Sequence, residues 1–321
     1  PLTTNHYSPM LATIIRRLLW LPVLLVILTI ITLALARYGP GDPVQVMLGP
    51  RAPKEAADAL REQLGLNEPF PVYAANYIIK AAQGDFGESF KFRGQPVGEL
   101  IFGRWKVSVQ LALTSLLIGT VIGVTLGTLA GLYRNSWLDN IVVAIVVILD
   151  SIPTFAITLP LLYLVAVRWR ILPPGGWGGL LDARAILPVL ILSIGPVATF
   201  TRQTRANLLD VMSQDYIRTA RAKGLSQMGV VVGHALRNTL IPLTTLFGLA
   251  LGGSLIGGAF FIEVLLGIPG LGRLGYETFQ ARDFPVTTAL VILTALTIAI
   301  ANLAVDIAYP FIDPRIREKS A

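Results

Sequence analysis

The chain has 321 residues, of which 54% are hydrophobic and only 14% charged, and its mean hydropathy is +0.66. A soluble domain carries roughly 25% charged residues, so much of this chain must face something other than water. The net charge of +7 would suggest nucleic acid in a soluble protein, but here many positive residues flank long apolar runs, as in membrane proteins. The absence of cysteine excludes disulfides and thiolate metal sites.

Long apolar runs predict an all-α membrane protein. A helix that crosses about 30 Å of hydrocarbon needs about 20 apolar residues, and period-two alternation, which a barrel would need, is absent. The first run is longer than the signal-peptide core of about 7–15 residues, so we expect an anchor rather than a cleaved leader. Six spans are predicted: Leu18–Ala36, Val107–Tyr133, Ile141–Val167, Ala185–Thr201, Thr239–Ile262 and Val286–Ile312.

The spans divide the chain into alternating membrane and polar parts. We expect a large external segment after the first helix and a cytoplasmic loop between the fourth and fifth helices. Within the external segment, Pro53–Leu64 has the composition of a helix and ends at Gly65. The predicted parts are an N-terminal segment (1–17), the first transmembrane helix (18–36), the external segment (37–106), a five-helix core (107–312) with the loop 202–238, and a tail (313–321).

Positive residues in short loops predict the orientation, since they favour the cytoplasmic side. With the N-terminus inside, the two short outer loops hold only Arg168, Arg170, Arg184, Arg273 and Arg282. The inner segments hold Arg16, Arg17, Arg134, Arg202, Arg205, Arg218, Arg221, Lys223, Arg237, Arg315, Arg317 and Lys319. We therefore expect a multi-pass membrane protein with both termini in the cytoplasm.

Glycine spacing indicates where helices pack closely. Four glycines recur every fourth residue in the second span and so share one helix face, where a neighbouring backbone can approach: Gly119, Gly123, Gly127 and Gly131. The fifth span repeats the spacing in two pairs, Gly248 with Gly252 and Gly253 with Gly257. A match to G-x-G-x-x-G at residues 270–275 follows a membrane span rather than a strand, so it predicts a turn and not a dinucleotide site.

Asp150 is a charged residue inside the predicted third span, close to Pro153. Ionisable residues inside a membrane are costly and mark functional sites by default. Asp150 either lines an aqueous pathway, where it would attract a cationic group such as a peptide amino terminus, or supports a kink through hydrogen bonds. The sequence leaves both interpretations open.

The loop between the fourth and fifth spans predicts two short helices. The first, from Asp215 to Lys223, begins with an acid, ends with basic residues and is closed by Gly224. Ser226 can cap the second, in which Met228, Val231, Val232, Ala235 and Leu236 follow the helical period. A folded, charged pair of helices on the cytoplasmic face suggests docking to a partner, and the alternative is a solvated elbow resting on the membrane.

These residues resemble the coupling loop of ABC importer permeases. The run Asp215–Gly224, followed by His234–Asn238 and Pro242, has the form of the dipeptide/oligopeptide branch. In the general E-A-A-x-x-x-G pattern, Arg218 and Thr219 replace Glu and Ala, while Ala220 and Gly224 fit. Further segments agree with the first of the two permeases in such systems: Pro40–Pro43, Leu64–Leu66, Gly84–Gly87, Pro269–Arg273, Arg282–Pro285 and Asp313–Arg315.

The resemblance implies a non-catalytic subunit that forms half of a pathway for peptides. Its partners would be a second permease, two P-loop ATPases that bind ATP and Mg, and an external substrate-binding protein, without nucleic acid. The complex would lie in the lipid of a bacterial or archaeal cytoplasmic (inner) membrane. The chain itself would hold no cofactor or metal and no catalytic residue. The residues implied to contact the ATPase are Asp215, Tyr216, Arg218, Thr219, Ala220, Arg221, Lys223, Gly224 and Leu225.

The chain lacks the G-x-x-x-x-G-K-[ST] motif, so it has no P-loop of its own. A self-sufficient channel or secondary transporter for small solutes is the alternative function, although no internal repeat typical of such transporters is evident. A membrane-embedded enzyme is disfavoured by the absence of cysteine and of metal motifs. The substrate stays open among dipeptides, oligopeptides, glutathione and nickel complexes.

Overall fold

A computed structural model describes residues 8–39, 43–49, 51–254 and 259–312. These residues are helical apart from turns and one isolated antiparallel bridge between Glu88 and Pro96, which confirms the predicted all-α class. The chain divides into two compact units, one from residues 1–108 and 269–300 and the other from residues 109–268 and 301–321. Residues 1–7 of the predicted N-terminal segment (1–17), Pro40–Asp42, Gly257 and the tail (313–321) lie outside the described residues.

The first unit contains the helices that precede and follow the core. They are α1 (Ser8–Tyr38), α2 (Pro43–Leu48), α3 (Lys54–Gln63), α4 (Phe70–Ala82), the start of α5 (Val97–Leu132), α13 (Leu271–Gln280) and most of α14 (Phe284–Ile312). Its apolar core is formed by α5, α13 and α14 and consists of Val97, Leu100, Ile101, Leu271, Leu274, Val286 and Ala289. Helix α3 agrees with the predicted helix, and Gly65 after it has a φ of 67°.

Polar contacts hold the segment between α1 and α5 onto its neighbours. At the end of α1, the Arg37 guanidinium donates hydrogen bonds to the carbonyl oxygens of Leu66 (2.9 Å) and Glu68 (2.7 Å). It also lies over the ring of Tyr73 on α4, 5.8 Å from its centroid. One arginine therefore joins the membrane helix to the turn before α4. Burial raises the pKa of Tyr73, although the charge of Arg37 opposes this.

A second polar cluster fixes the turn between α13 and α14. The buried Asp283 carboxylate accepts hydrogen bonds from the Ser89 hydroxyl and, at 3.1 Å, from the Lys91 backbone N–H. Glu277 on α13 lies 3.2 Å from Lys91 Nζ and 2.8 Å from Arg273 Nε. Burial disfavours the Glu277 carboxylate, but the hydrogen bonds and charges of these two residues outweigh it and lower its pKa.

The second unit contains the helices of the core. They are the rest of α5, then α6 (Trp137–Ser151), α7 (Thr154–Leu162), α8 (Ile186–Met212), α9 (Asp215–Ala222), α10 (Gln227–Val230), α11 (Leu236–Ser254) and α12 (Phe260–Leu265). Two π-helical turns continue neighbouring helices: Tyr163–Arg168 follows α7, and Val231–Ala235 joins α10 to α11. Together, α10, the π-helical turn and α11 form one long apolar helix.

The described residues hold five helices long and apolar enough to cross a membrane, or six if a bent pair counts as one span. The bent pair is the predicted third span, which breaks by 96° between Ser151 and Thr154. Pro153 lies in this break and disfavours helical geometry in the residue before it. The fourth span runs to Met212, beyond the predicted end at Thr201, and the fifth begins at Gln227 rather than Thr239.

The four-residue glycine stripe of α5 packs against α8. A Cβ atom built on Gly119, Gly123 or Gly127 would lie 2.6 to 2.7 Å from a side-chain carbon of α8, and one on Gly131 would lie 2.9 Å from Leu208. Real Cβ atoms do not approach so closely, so only glycine allows the two backbones to come this near. The predicted packing role of the stripe is confirmed.

The other glycine motifs differ in what surrounds them. A Cβ on Gly252 would lie 2.8 Å from the Cβ of Ala301, whereas one on Gly253 would meet nothing within 4 Å. Gly270 is the residue before α13, and the Leu271 N–H donates to the Ser108 hydroxyl (2.8 Å). The G-x-G-x-x-G match therefore starts a helix after a turn, as expected from its sequence context.

Replacing Gly123 with alanine is expected to destabilise the chain, because the new Cβ would lie 2.7 Å from the Phe200 Cβ and 2.9 Å from the Val197 carbonyl oxygen. Overpacking of this kind costs about 1–3 kcal/mol. The thermal unfolding midpoint of the detergent-solubilised protein should fall by several degrees. Gly103→Ala on the same helix meets nothing within 4 Å and is the matched control. Equal losses in both variants would contradict close packing at the stripe.

Candidate coupling surface and intramembrane ion pair

The predicted coupling segment forms α9, a helix with clear start and stop signals. Asp215 lies in its first turn and Arg221 in its last, where each charge complements the helix dipole. Gly224 follows with a φ of 82°, and its N–H donates to the carbonyl oxygen of Arg221 (2.9 Å). A left-handed residue at this position ends a helix at little cost only if it is glycine.

Helix α9 is attached to the core by its apolar face. Ile217 and Ala220, three residues apart, are buried in a cluster that includes Leu208 of α8. The remaining buried members come from the start of the fifth span: Val230, Val231 and Ala235. Because the cluster contains residues from both spans that flank α9, a displacement of α9 acts on both of them.

The opposite face of α9 is charged and exposed. Of the nine residues predicted to contact an ATPase, Ala220 faces inward, and the other eight are exposed: Asp215, Tyr216, Arg218, Thr219, Arg221, Lys223, Gly224 and Leu225. Arg218 lies 3.4 Å from Asp215, but both side chains are largely exposed, so the pair contributes little to stability. The chain thus presents a mainly polar helical surface, and the exposed apolar side chain of Leu225 follows after the helix ends.

Two hydrogen bonds fix α9 and the helix after it. The Asn238 side-chain amide donates to the Tyr216 hydroxyl (2.8 Å), which ties the coupling helix to α11. The Ser226 hydroxyl accepts from the Gly229 N–H (3.2 Å) and caps α10, as predicted. The predicted second short helix is not separate, however, since it continues through the π-helical turn into the fifth span.

The predicted pathway residue, Asp150, lies at the end of α6 beside the break before α7. Its carboxylate accepts a hydrogen bond from Arg202 Nη1 of α8 (2.7 Å), and both side chains are about 40% exposed, at 40% for Asp150 and 43% for Arg202. Asp150 therefore has a cationic neighbour within the chain. The pathway interpretation and the kink interpretation both stay predictions.

A second ion pair joins the same two helices and differs in character. Arg205 of α8 binds Asp139 of α6 through two hydrogen bonds, of 2.6 and 2.8 Å. The Asp139 side chain is only 2% exposed and also accepts the Asn135 backbone N–H (2.9 Å). This bidentate, buried geometry is typical of a structural pair.

Sequence reasoning missed the role of both arginines. Arg202 and Arg205 were assigned to the cytoplasmic loop because the apolar run ends at Thr201. The available signal was the helical spacing of Thr201, Thr204 and Leu208, which continues the buried face of α8 past that point. Tyr216–Asn238 was missed because the two residues are 22 positions apart.

Comparison with known proteins identifies the family. Residues 123–318 match the family described as binding-protein-dependent transport system inner membrane component, and residues 10–112 match its N-terminal family. The chain belongs to this family. It is therefore a multi-pass inner-membrane permease component of an ABC importer, whose ATP hydrolysis is carried out by separate subunits. Permeases of this family work in general with a partner permease, ATPase subunits and a binding protein.

Several curated relatives match almost the whole chain. The glutathione transport system permease protein GsiC of Escherichia coli (strain K12) is 38% identical over 313 residues, which covers 97% of this chain and 100% of the relative. GsiC of Shigella dysenteriae serotype 1 matches with the same identity and coverage. This agreement confirms the resemblance to the peptide-type importer permeases.

A solved structure shares the fold. The MetNI methionine ABC transporter, in an inward-facing conformation, superposes with a TM-score of 0.54 and 22% sequence identity. The match covers 67% of this chain and 96% of that chain. At this identity, the likeness supports the fold alone.

Replacing Ile217 with alanine is expected to loosen α9, because truncating a buried isoleucine costs about 2–5 kcal/mol. Trypsin should then cleave faster after Arg218, Arg221 and Lys223, and mass spectrometry of the fragments gives the rate at each site. Leu225→Ala, at a side chain that is 44% exposed, is the control and should leave the rates unchanged. Unchanged cleavage in the Ile217 variant would contradict the anchoring role of this residue.

Proposed function

We propose that this chain forms half of the translocation pathway of an ATP-driven importer for short peptides. A second, homologous permease completes the pathway, two P-loop ATPases bind ATP and Mg on the cytoplasmic side, and an extracytoplasmic binding protein delivers the substrate. The observation that carries the proposal is α9, a helix anchored through Ile217 and Ala220 with its charged face outward.

The contacts of α9 support a role in force transmission. A helix that binds a moving partner must be held firmly on its other side, and α9 is held by an apolar cluster and by the Tyr216–Asn238 hydrogen bond. Its exposed surface carries Arg218, Arg221 and Lys223, which suit an acidic or polar groove. Movement of the ATPases would reach α8 and α11 through these contacts.

The relatives support the proposed substrate class. Two of the similar permeases described above belong to glutathione transport systems, and glutathione is a tripeptide with ionised ends. We therefore assign short peptides as substrates, from dipeptides to oligopeptides and with glutathione included. The binding protein supplies most of the selectivity among them.

The proposed orientation has both termini and α9 in the cytoplasm. In the structure, five of the inner residues (Arg16, Arg17, Arg202, Arg205 and Arg237) and two of the outer ones (Arg168 and Arg184) lie within candidate membrane-spanning helices. Without these, seven positive residues remain in the inner segments against three in the short outer loops. The positive-inside rule thus still supports this orientation.

Replacing Gly224 with valine is expected to uncouple transport from ATP hydrolysis. At a φ of 82°, a β-branched residue costs about 1–2 kcal/mol, which corresponds to about a tenfold loss of the coupled state. ATP-driven uptake of a dipeptide into proteoliposomes should fall by about that factor. Membrane insertion should be unaffected, since a Cβ at Gly224 meets nothing within 4 Å.

Two matched variants complete this experiment. Gly224→Asn should keep most of the uptake because asparagine tolerates the left-handed region, and Gly233→Ala, at another open glycine nearby, should be neutral. Normal coupled uptake by the valine variant would refute the role of α9. Uptake by the purified chain alone, without nucleotide, would instead favour a self-sufficient channel or secondary transporter.

The orientation is testable because the natural chain has no cysteine. Leu181 is fully exposed before α8 and Leu225 is exposed after it, so single cysteines at these positions lie on opposite sides of the membrane. A membrane-impermeant maleimide should label Leu181→Cys in intact spheroplasts and Leu225→Cys in inverted vesicles. The reverse pattern would place α9 outside and would remove it from any contact with a cytoplasmic ATPase.

A further inference from the structure

One side of α8 is packed and the opposite side is polar and exposed. Successive residues of a helix are about 100° apart, so the buried Thr201, Thr204 and Leu208 share one face, which lies against the glycine stripe of α5. The exposed residues lie about half a turn away: Arg202, Gln203, Ala206 and Asp210. A polar face of this kind in a membrane helix must meet water or protein rather than lipid.

The Asp150–Arg202 pair joins two candidate membrane-spanning segments. With a rise of 1.5 Å per residue, Arg202 lies about 15 Å from the end of α8 and Asp150 about 20 Å from the start of α6. Both side chains nevertheless stay about 40% exposed within the chain, at 40% and 43%. Two half-exposed charges on candidate membrane-spanning segments are consistent with an aqueous cavity and not with a lipid-facing surface.

The break in the third span also favours an aqueous cavity beside the Asp150–Arg202 pair. The chain turns by 96° between Ser151 and Thr154, directly after Asp150. Irregular backbone at membrane depth is tolerated only where it is buried in protein or lines a water-filled cavity. Ser151, Ile152 and Pro153 are exposed, so in this unit the break is not covered by protein.

The Arg202–Asp150 pair can exchange partners more easily than the Arg205–Asp139 pair. Arg205 and Asp139 form a bidentate pair whose carboxylate is 2% exposed, whereas Arg202 and Asp150 share one hydrogen bond of 2.7 Å in a partly solvated setting. A half-exposed pair contributes little to stability. Its opening therefore costs little, provided that each charge receives a new partner.

We infer that Arg202 and Asp150 form a recognition site for a zwitterion on the wall of the pathway. The Arg202 guanidinium receives the carboxylate of the solute, and the Asp150 carboxylate receives its ammonium group. A zwitterion satisfies both residues at once and leaves no charge unpaired, whereas a solute with one capped end leaves one residue without a partner. The inference rests on the proposed function and specifies the charge pattern of its substrate.

The experiment measures binding of three peptides to the complete transporter in nanodiscs, by titration calorimetry without binding protein or nucleotide. The peptides are Ala-Ala, N-acetyl-Ala-Ala and Ala-Ala-amide. The wild-type complex should bind Ala-Ala about tenfold more tightly than either capped peptide, since each cap removes one charge-assisted hydrogen bond. Equal affinity for all three peptides, or no binding of Ala-Ala, would overturn the inference.

Two substitutions assign the ends of the peptide to the two residues. Asp150→Asn should abolish the preference against N-acetyl-Ala-Ala and keep the preference against the amide, and Arg202→Gln should do the opposite. Each preference is a ratio measured within one variant, so a lower folded fraction cancels from it. If both variants keep both preferences, the pair is structural and the inference fails.

A control separates recognition from stability. Asp139→Asn removes the carboxylate of the neighbouring pair and should lower the thermal midpoint while leaving both preferences intact. The proposed function fails in a different way, namely if the wild-type complex with its binding protein shows no ATP-driven peptide uptake. Normal uptake combined with unchanged preferences in the Asp150 and Arg202 variants would refute the recognition site alone.

Discussion

The contact between α5 and α8 is the constraint on which the rest of the core depends. Lipid is as apolar as the helices, so they gain little from hydrophobic burial and must associate through close packing. The glycine stripe allows this approach along four successive turns. Since one face of α8 is fixed in this way, Arg202 on the opposite face is exposed. Near the C-terminal end of α8, Leu208 lies in the apolar cluster that holds α9.

The coupling helix and the ion pair are thus linked through one rigid element. α8 contributes to the α9 cluster near its C-terminal end and to the Asp150 pair about 10 Å earlier, some six residues away along the same helix. A displacement of α9 that tilts α8 would change the distance between Arg202 and α6. The site proposed to bind the peptide and the surface proposed to receive force are therefore mechanically connected without any flexible linker.

Much of this arrangement could be predicted from sequence, because it depends on local patterns. Apolar length predicted the spans, and four-residue spacing predicted the glycine contact. The sequence also predicted the first turn of α9, its basic C-terminal end, its termination at Gly224 and the Ser226 cap of α10. Span ends were less accurate, because α8 continues past Thr201 with a buried face of threonines that hydropathy does not register. The partners of Asp150 and Asp139 are tertiary contacts, and no local pattern encodes them.

The π-helical turn at Val231–Ala235 has a consequence of its own. Among the residues of the predicted helical period, Val231 and Ala235 are buried, whereas Met228 and Val232 are 59% exposed. A π-helical turn carries one residue more than an α-helical turn, so it shifts the phase of every side chain that follows it. If the π-helical turn became α-helical, α11 would rotate about its own axis. The extra residue in the π-helical turn of the fifth span makes such a rotation possible.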